Sequence, residues 1–229
     1  MASEVPEAGE RVLIHAGSDG VGQAAIKMEQ MMGAEIFVTV GSVEKKNTLK
    51  TQFGILEERI FCFRGSSFGR SIKRVTNGRG VDVVVTSLAG DLLREICKTL
   101  ARFGRFFEIG NANFTKNTRL GMPPFENSVS FASVDLTKIA QYKPRLIRRL
   151  LDNVYLLMSK GTVSPTLPLS TYHIAELETT LPTLQTSKAM GKIIVVPHQD
   201  DHVKAVAASL APPSLRPTHH TSRSVALAT

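Results

Sequence analysis

Apolar and polar positions divide the first two thirds of the chain into two alternating kinds of segment. Short runs of β-branched and aromatic residues, bounded by glycine or polar residues, predict buried strands. These runs are RVLIHA, AEIFVTV, RIFCF, GVDVVVTSL and GRFFEIG. Helices are predicted between them at residues 21–32, in SVEKKNTLKTQF, at residues 67–76 and in DLLREICKTLA. Strands separated by single helices imply right-handed crossovers, so the pattern predicts an α/β fold with a doubly wound parallel sheet.

The pattern changes after this alternation. SVSFASVDL predicts one more strand, and a helix follows from the period of its apolar positions. Those positions are Ile147, Leu150, Leu151, Val154, Leu157 and Met158. PTLPLS and GKIIVVP predict two short strands around a helix near residues 174–186, and such strands need a partner sheet. From about Pro197 the composition is typical of a flexible tail. We expect a Rossmann-like domain at residues 1–160, a further segment at 161–197 and a tail at 198–229.

A glycine-rich turn joins the first predicted strand to the first predicted helix. The run HAGSDGVG contains Gly20 and Gly22, and the segment after it is suited to a helix. Exposed amides and the helix dipole at such a turn favour an anion, as in dinucleotide-binding folds. The two glycines could equally serve only a tight turn and close helix packing. Asp19, in the middle of the turn, is an unexpected negative charge at such a site.

The end of the second predicted strand bears on cofactor choice. An NAD-selective site has Asp or Glu about 20 residues after the glycines, where it binds the ribose hydroxyls. Here the run is VGSVEKK, so Ser42 lies in that region and Lys45 and Lys46 follow. Cations at this place favour a 2′-phosphate, and the predicted cofactor is NADPH. The alternative is an exposed lysine pair at a helix start.

Composition excludes some classes of function. The net charge of +8 is spread along the chain and interleaved with acids, and the aromatic residues that would stack bases are missing from the basic stretches, so we expect no nucleic-acid partner. A phosphorylated cofactor accounts for part of the charge.

No apolar run is long enough to span a bilayer, and MASEVPEAGE is unlike a secretory or transit peptide. We expect a soluble, cytoplasmic protein without a membrane partner. Cys62 and Cys97 have no metal spacing, and both are predicted to be buried.

Taken together, these runs resemble the enoylreductase domain of iterative, highly reducing polyketide synthases and the similar domain of animal-type fatty acid synthase. Both belong to the zinc-free, quinone-reductase-like branch of the medium-chain dehydrogenase/reductase superfamily. The matching runs, from about Gly9 to Pro197, are VLIHAGSDGVGQAAIKM, AEIFVTVGSVEKK, NGRGVDVVVTSLAGDLLR, LARFGRFFEIGN, SVSFASVDL and MGKIIVVP. The resemblance implies reduction of an enoyl thioester on an acyl carrier protein, with hydride from NADPH reaching the β-carbon and a proton the α-carbon. No zinc is expected, since the chain offers no cysteine spacing or His/Cys cluster for it.

The resemblance also implies which residues contact the cofactor. Those at the pyrophosphate would be Gly20, Val21 and Gly22. Ser42 and Lys45 would hold the 2′-phosphate, and Arg64 would support the adenosine side. The residues near the nicotinamide, at two strand ends, would be Thr86, Ser87, Leu88, Ile109 and Gly110.

Two catalytic positions are implied in the same way. Asp135 matches a carboxylate proposed to take part in protonation or in organising the site, and its alternative role is to cap the helix that follows. Asn111 stands where relatives have a lysine that is a candidate proton donor, and an amide cannot supply that proton. Relatives also usually have glycine at position 19 and asparagine at position 86. We expect Asp19 to weaken cofactor binding by repulsion unless its side chain turns to solvent.

Three functional hypotheses remain open at this point. In the superfamily the larger part of the substrate domain precedes the glycine turn, whereas this chain starts only a few residues before it. Residues 161–197 would then be the return segment of that domain, whose partner is the missing N-terminal part or a parent synthase. The first hypothesis is an enoylreductase piece that is catalytic beside that partner. Segments similar to MPPFENSVSF mediate dimerisation in relatives, and the sequence leaves open whether this chain forms such a homodimer. The second is a degenerate, non-catalytic scaffold or gene fragment. The third is a quinone-oxidoreductase-like reductase.

Overall fold

A sequence of strands and helices in strict alternation opens the chain. The computed structural model describes residues 7–62, 68–87, 91–185, 190–198 and 201. The strands are β1 (Arg11–Ile14), β2 (Glu35–Val40), β3 (Ile60–Cys62), β4 (Val81–Thr86), β5 (Leu100–Glu108), β6 (Ser130–Ser133), β7 (Leu169–His173) and β8 (Lys192–Val196). The helices are α1 (Gly20–Met32), α2 (Val43–Phe53), α3 (Phe68–Val75), α4 (Asp91–Cys97), α5 (Ala112–Thr115), α6 (Leu136–Tyr142), α7 (Pro144–Ser159) and α8 (Leu177–Gln185). Short 3₁₀ turns lie at Glu57–Arg59, Pro123–Asn127 and Ile174–Glu176.

Six of these strands form one parallel sheet. Its strand order is β3-β2-β1-β4-β5-β6, and every neighbouring pair is parallel. This order is that of the doubly wound dinucleotide-binding fold, in which the chain reverses direction across the sheet between β1 and β4. The predicted α/β, Rossmann-like fold class is confirmed.

The core lies on both faces of this sheet. Successive side chains of β1 alternate between two buried clusters: Leu13 packs in the cluster of α3 and α4, whereas Val12 and Ile14 pack in the cluster of α1 and α2. Strands that are buried on both faces give continuous apolar runs, which is why VLI and VDVVV are without polar interruption apart from Asp82.

The fifth strand begins earlier than expected. Residues Leu100 and Ala101 belong to β5, although the run DLLREICKTLA predicted them to be helical; α4 ends at Cys97. Leu100 pairs with Val81, and the register then shifts so that Val83 pairs with Arg105. Such a bulge leaves the residues between the two paired stretches of β5 without partners on β4. Of the two cysteines, Cys97 is buried as predicted, but Cys62 is exposed at the end of the outer strand β3.

The last two strands pair with each other. β7 and β8 form a separate parallel two-stranded sheet. Their place in a larger sheet of the substrate domain stays a prediction. The prediction of a strand at PTLPLS was wrong in its position, because β7 begins only at Leu169. Pro165 and Pro168 have no N–H for a ladder, which keeps this stretch out of the strand.

The buried side chain of Gln23 fastens the return segment, residues 161–197, to the six-stranded domain. The Gln23 amide nitrogen donates to the carbonyl oxygens of Ser18 and Leu167, and its oxygen accepts from the Leu167 amide at 2.9 Å. Lys27 adds hydrogen bonds to the carbonyl oxygens of Ser164 and Pro165. The residues of α1 therefore hold the chain that leads into β7.

The helix predicted from apolar period at residues 147–158 is present as α7. Its apolar side chains nevertheless stay largely in solvent, with Leu151 61% and Val154 50% exposed. None of the described helices is both long and apolar enough to cross a bilayer.

Candidate functional site

A cavity of about 440 Å³ opens at the carboxyl ends of β1, β4 and β5. In doubly wound sheets, ligands bind in the crevice at the point where the strand order reverses, and this cavity lies there. Its lining residues are Ile14, His15, Ala16, Asp19, Gly20, Val21, Gly22, Ala25, Val85, Ser87, Ile109, Gly191, Lys192 and Ile193. The structure therefore brings together five of the predicted cofactor residues, namely Gly20, Val21, Gly22, Ser87 and Ile109.

The glycine turn is shaped by close backbone contact. A Cβ atom on Gly22 would overlap the Ala16 carbonyl oxygen and lie 2.7 Å from Gly17 Cα, so only glycine fits there. Helix α1 starts at Gly20, which leaves its first amides pointing out of the helix end. Such amides and the helix dipole attract an anion.

Asp19 precedes this helix and forms an ion pair that sequence reasoning missed. Its side chain does not cap α1, although its carbonyl oxygen accepts from the Gln23 amide at 2.9 Å. Instead, its Oδ1 lies 3.0 Å from the Nζ of Lys45. The expected alternatives for Asp19 were repulsion of a phosphate or rotation into solvent, and the structure shows a third arrangement.

Lys45 lies in the first turn of α2, and its side chain is largely buried. The hydroxyl of Ser42 caps this helix by accepting from the Lys45 amide at 3.3 Å. Both residues predicted for the 2′-phosphate therefore sit together at the end of β2. The ion pair with Asp19 joins this corner to the glycine turn.

The residues predicted near the nicotinamide meet at the ends of β4 and β5. The Ile109 amide donates to the Thr86 carbonyl oxygen at 2.8 Å, and Ser87 and Ile109 line the cavity. Thr86 is buried, and a Cβ on Gly110 would lie 2.9 Å from Glu108 Oε1 and 3.0 Å from the Ser87 carbonyl oxygen, so space at this position is tight. Leu88 and Arg64, the other two predicted contacts, lie outside the described residues.

Glu108 is a buried carboxyl beside this corner that sequence reasoning missed. Its Oε1 accepts from the Gly110 amide and its Oε2 from Asn113 Nδ2, both at 2.9 Å. Burial raises the pKa of Glu108 above its usual range, against the effect of these two hydrogen bonds. The available signal was a single acid at the end of the apolar run GRFFEIG.

The two implied catalytic positions are not among the described residues that line the cavity. Asn111 is exposed just before α5, and its side chain makes no capping hydrogen bond. Asp135 is the N-cap of α6, where its Oδ1 accepts from the amides of Thr137 at 3.0 Å and Lys138 at 3.1 Å. The geometry thus shows the capping role that the sequence left open for Asp135.

His15 is a further lining residue that the sequence analysis did not select. Its Nδ1 lies 2.8 Å from the Thr39 hydroxyl, and that hydroxyl oxygen also accepts from the Ala16 amide. The tautomer of His15 decides which of the two groups donates in its hydrogen bond with Thr39. Among the described residues, Nε2 has no hydrogen-bond partner. Burial lowers the pKa of His15 to about 3, so the imidazole is neutral.

The return segment also contributes to the cavity, through Gly191, Lys192 and Ile193 at the start of β8. The Gly191 amide donates to the Ser18 carbonyl oxygen at 3.1 Å, which fixes this strand against the turn. Lys192 places a cation at the cavity wall, although it is far in sequence from the glycine turn. The run GKIIVVP predicts only a strand, so sequence reasoning did not select this residue.

The sequence of the chain is similar to a dehydrogenase family and to polyketide synthases. Residues 63–195 match the sequence model of a family described as zinc-binding dehydrogenase. Highly-reducing polyketide synthase 1 of Aureobasidium melanogenum is 54% identical over 199 residues, which are 87% of this chain and 9% of that protein. The lovastatin diketide synthase lovF of Aspergillus terreus is 46% identical over 85% of this chain and 8% of its own length. The chain thus spans less than a tenth of the curated relatives it matches.

Solved structures agree with the sequence relatives. The CurK enoyl reductase is 34% identical with a TM-score of 0.74, over 84% of this chain and 56% of that one. The nucleotide-binding subdomain of the enoylreductase domain of PpsC from Mycobacterium tuberculosis is 35% identical with a TM-score of 0.63, over 69% of this chain and 87% of that one. A quinone oxidoreductase of Pseudomonas syringae pv. Tomato DC3000, at 19% identity and a TM-score of 0.70, shares the fold alone.

Proposed function

Because the chain belongs to the zinc-binding dehydrogenase family and is homologous to the enoyl reductase domains of highly reducing polyketide synthases, we propose that it is the NADPH-binding part of an enoyl-thioester reductase. The observation that carries the proposal is the cavity at the point where the strand order reverses. The glycine turn lines this cavity, and its Gly22 position admits no Cβ. The amino end of α1 faces the cavity.

The described residues fit a phosphorylated dinucleotide. Gly20, Val21 and Gly22 present backbone amides to a pyrophosphate, with Gly22 allowing the closest approach. Ser42 and Lys45 stand at the end of β2, where the adenosine ribose lies in such folds. A cation there, rather than a carboxylate, supports NADPH over NADH. The glycine turn and the end of β2 together support the cofactor proposal.

When bound, NADPH supplies a hydride to the β-carbon of an α,β-unsaturated thioester. Ser87 and Ile109 line the end of the cavity assigned to the nicotinamide, where they orient the ring and exclude water. Neutral His15 borders the same cavity. We assign no proton donor for the α-carbon, since Asn111 cannot release a proton and Asp135 is engaged at a helix end.

The residues that the structure describes do not fit a zinc ion. They contain no group of three or more His, Cys, Asp or Glu side chains that could hold a metal. The zinc in the family's description therefore has no matching site among these described residues.

The substrate and partners follow from the homology. We propose an enoyl thioester on an acyl carrier protein as substrate and a parent polyketide synthase as the setting, because the relatives are long synthases of which this chain matches a small part. The homodimer through residues 122–131 and the cytoplasmic location stay predictions.

A second candidate function is a non-catalytic scaffold of the same lineage. The ion pair between Asp19 and Lys45 favours it, because the cation assigned to the cofactor already has an anionic partner. Asn111, in place of a lysine, favours it as well.

The test is a fluorescence titration of the full chain with NADPH, together with Lys45→Met and the control Lys46→Met. Lys46 is the next residue of α2 and pairs with Glu57 at 3.1 Å, on a different carboxylate from that of Lys45. We expect saturable binding that Lys45→Met weakens about 10-fold, the equivalent of one charged hydrogen bond, and that Lys46→Met leaves unchanged. Absence of saturable binding to the wild-type chain would favour the scaffold. Equal weakening by both substitutions would contradict the assignment of Lys45.

A further inference from the structure

The ion pair between Asp19 and Lys45 connects the two phosphate-binding corners of the proposed cofactor site. Asp19 stands at the start of α1, in the glycine turn, and Lys45 in the first turn of α2. Their charged atoms are 3.0 Å apart, and the side chains are 43% and 9% exposed, respectively. A carboxylate of the chain therefore binds the cation that the proposed function assigns to the 2′-phosphate.

Both members of the pair are held in place by their surroundings. The Asp19 carbonyl oxygen accepts from the Gln23 amide, and the Ser18 hydroxyl donates to Asp19 Oδ1 at 3.3 Å. The Lys45 backbone is fixed by the Ser42 cap, and its side chain is mostly removed from water. A partly buried pair on a fixed backbone is stronger than an ion pair between two mobile surface side chains.

We propose that Asp19 is a specificity-determining residue that lowers the preference of this site for NADPH over NADH by occupying Lys45. The proposal rests on the proposed function, because it concerns the same dinucleotide site. A 2′-phosphate must displace the Asp19 carboxylate from Lys45 or share the cation with it, whereas NADH has only hydroxyls at that position and leaves the pair intact.

The Asp19 carboxylate has two separable effects on binding. It repels the pyrophosphate, which both dinucleotides carry, so this effect changes both dissociation constants equally. It also competes for Lys45, which concerns only the 2′-phosphate of NADPH. The ratio of the NADH and NADPH dissociation constants therefore isolates the competition from the repulsion.

The experiment titrates the full chain with NADPH and with NADH at one ionic strength. The variants are Asp19→Asn, Lys45→Met, both together, and Glu57→Gln as the matched control. Glu57 forms ion pairs with Lys46 and Lys50 of α2, so its substitution adds the same unit of net charge beside the helix that carries Lys45. Asp19→Ser is a second variant, and circular dichroism verifies that each variant is folded.

We expect Asp19→Asn to tighten NADPH binding about 10-fold and NADH binding about 2-fold, so that the ratio shifts by about 5-fold. In the Lys45→Met background the same substitution should leave the ratio unchanged, as should Glu57→Gln in the wild-type background. An unchanged ratio in Asp19→Asn and Asp19→Ser, with both dinucleotides bound, would overturn this inference alone. An equal shift in the Lys45→Met background would overturn it too, because the effect would not pass through Lys45. If no variant binds either dinucleotide, the proposed function fails and the inference fails with it.

Discussion

The buried imidazole of His15 makes the stability of the chain sensitive to mild acid. His15 follows β1 and is 5% exposed, with its ring edge against Phe68 and its Nδ1 on the Thr39 hydroxyl. Burial lowers the pKa of His15 from 6.5 to about 3 in the folded chain. Between these two values the unfolded chain binds a proton at this residue and the folded chain does not. The stability that a neutral His15 provides is therefore complete above pH 6.5 and is lost progressively as the pH falls toward 3.

The size of this loss follows from the linkage between proton binding and unfolding. Each pH unit inside the window removes about 1.4 kcal/mol from the free energy of unfolding. Lowering the pH from about 7 to about 5 should therefore cost about 2 kcal/mol through His15 alone. A His15→Gln variant keeps a polar group for Thr39 and has no titrating side chain, so it should lack this part of the loss.

The assay is urea unfolding of both proteins at pH values between about 7 and about 5, followed by circular dichroism, with stability extrapolated to water. Carboxyl groups that protonate in the same range affect both proteins alike, so the difference between their curves reports His15. The control is His173→Gln, whose side chain is 58% exposed on β7 and remains in contact with water in the folded chain. Parallel curves for the wild type and His15→Gln would refute the reasoning.

Two further predictions concern the glycine turn and the helix cap. Gly22→Ala should destabilise the chain by about 1–3 kcal/mol and abolish dinucleotide binding, because the added Cβ overlaps the Ala16 carbonyl oxygen. Thermal unfolding and the NADPH titration measure both effects. The control Gly69→Ala in α3 should cost little, because its Cβ would lie 3.6 Å from the nearest atoms, which belong to Glu95 and Thr99. Asp135→Ala should cost about 1 kcal/mol of stability, and Asp135→Ser should restore most of it while leaving NADPH binding unchanged, because a serine hydroxyl also caps a helix. Failure of serine to restore stability would argue against a capping role.

The fold was predictable because its signals are local. The apolar runs of β1, β2 and β4 and the glycine punctuation before α1 each lie within a few residues, and together they indicate the parallel sheet and the position of its ligand crevice. The predicted ends of helices and strands were wrong where pairing between strands decides the structure. Leu100 joins β5 because it pairs with Val81, and no local pattern distinguishes it from the end of α4.

The candidate site was predictable only in part, for a similar reason. Gly20 and Gly22 belong to a motif with fixed spacing, so their place at the cavity could be expected. Asp19 and Lys45 are 26 residues apart, and their ion pair exists only once α1 and α2 pack on the same face of the sheet. Lys192 arrives at the cavity through the return segment, which depends on contacts that the sequence pattern does not show.

The Gln23 side chain attaches the return segment through the same pair of hydrogen bonds that a neighbouring strand would form. One side-chain amide satisfies both the N–H and the C=O of Leu167, as a neighbouring backbone would do in a sheet. Exchange of the Leu167 amide hydrogen with solvent therefore requires this single side chain to release the backbone. The exchange rate of that amide therefore measures how often residues 161–197, including Lys192, separate from the nucleotide crevice while the six-stranded sheet stays folded.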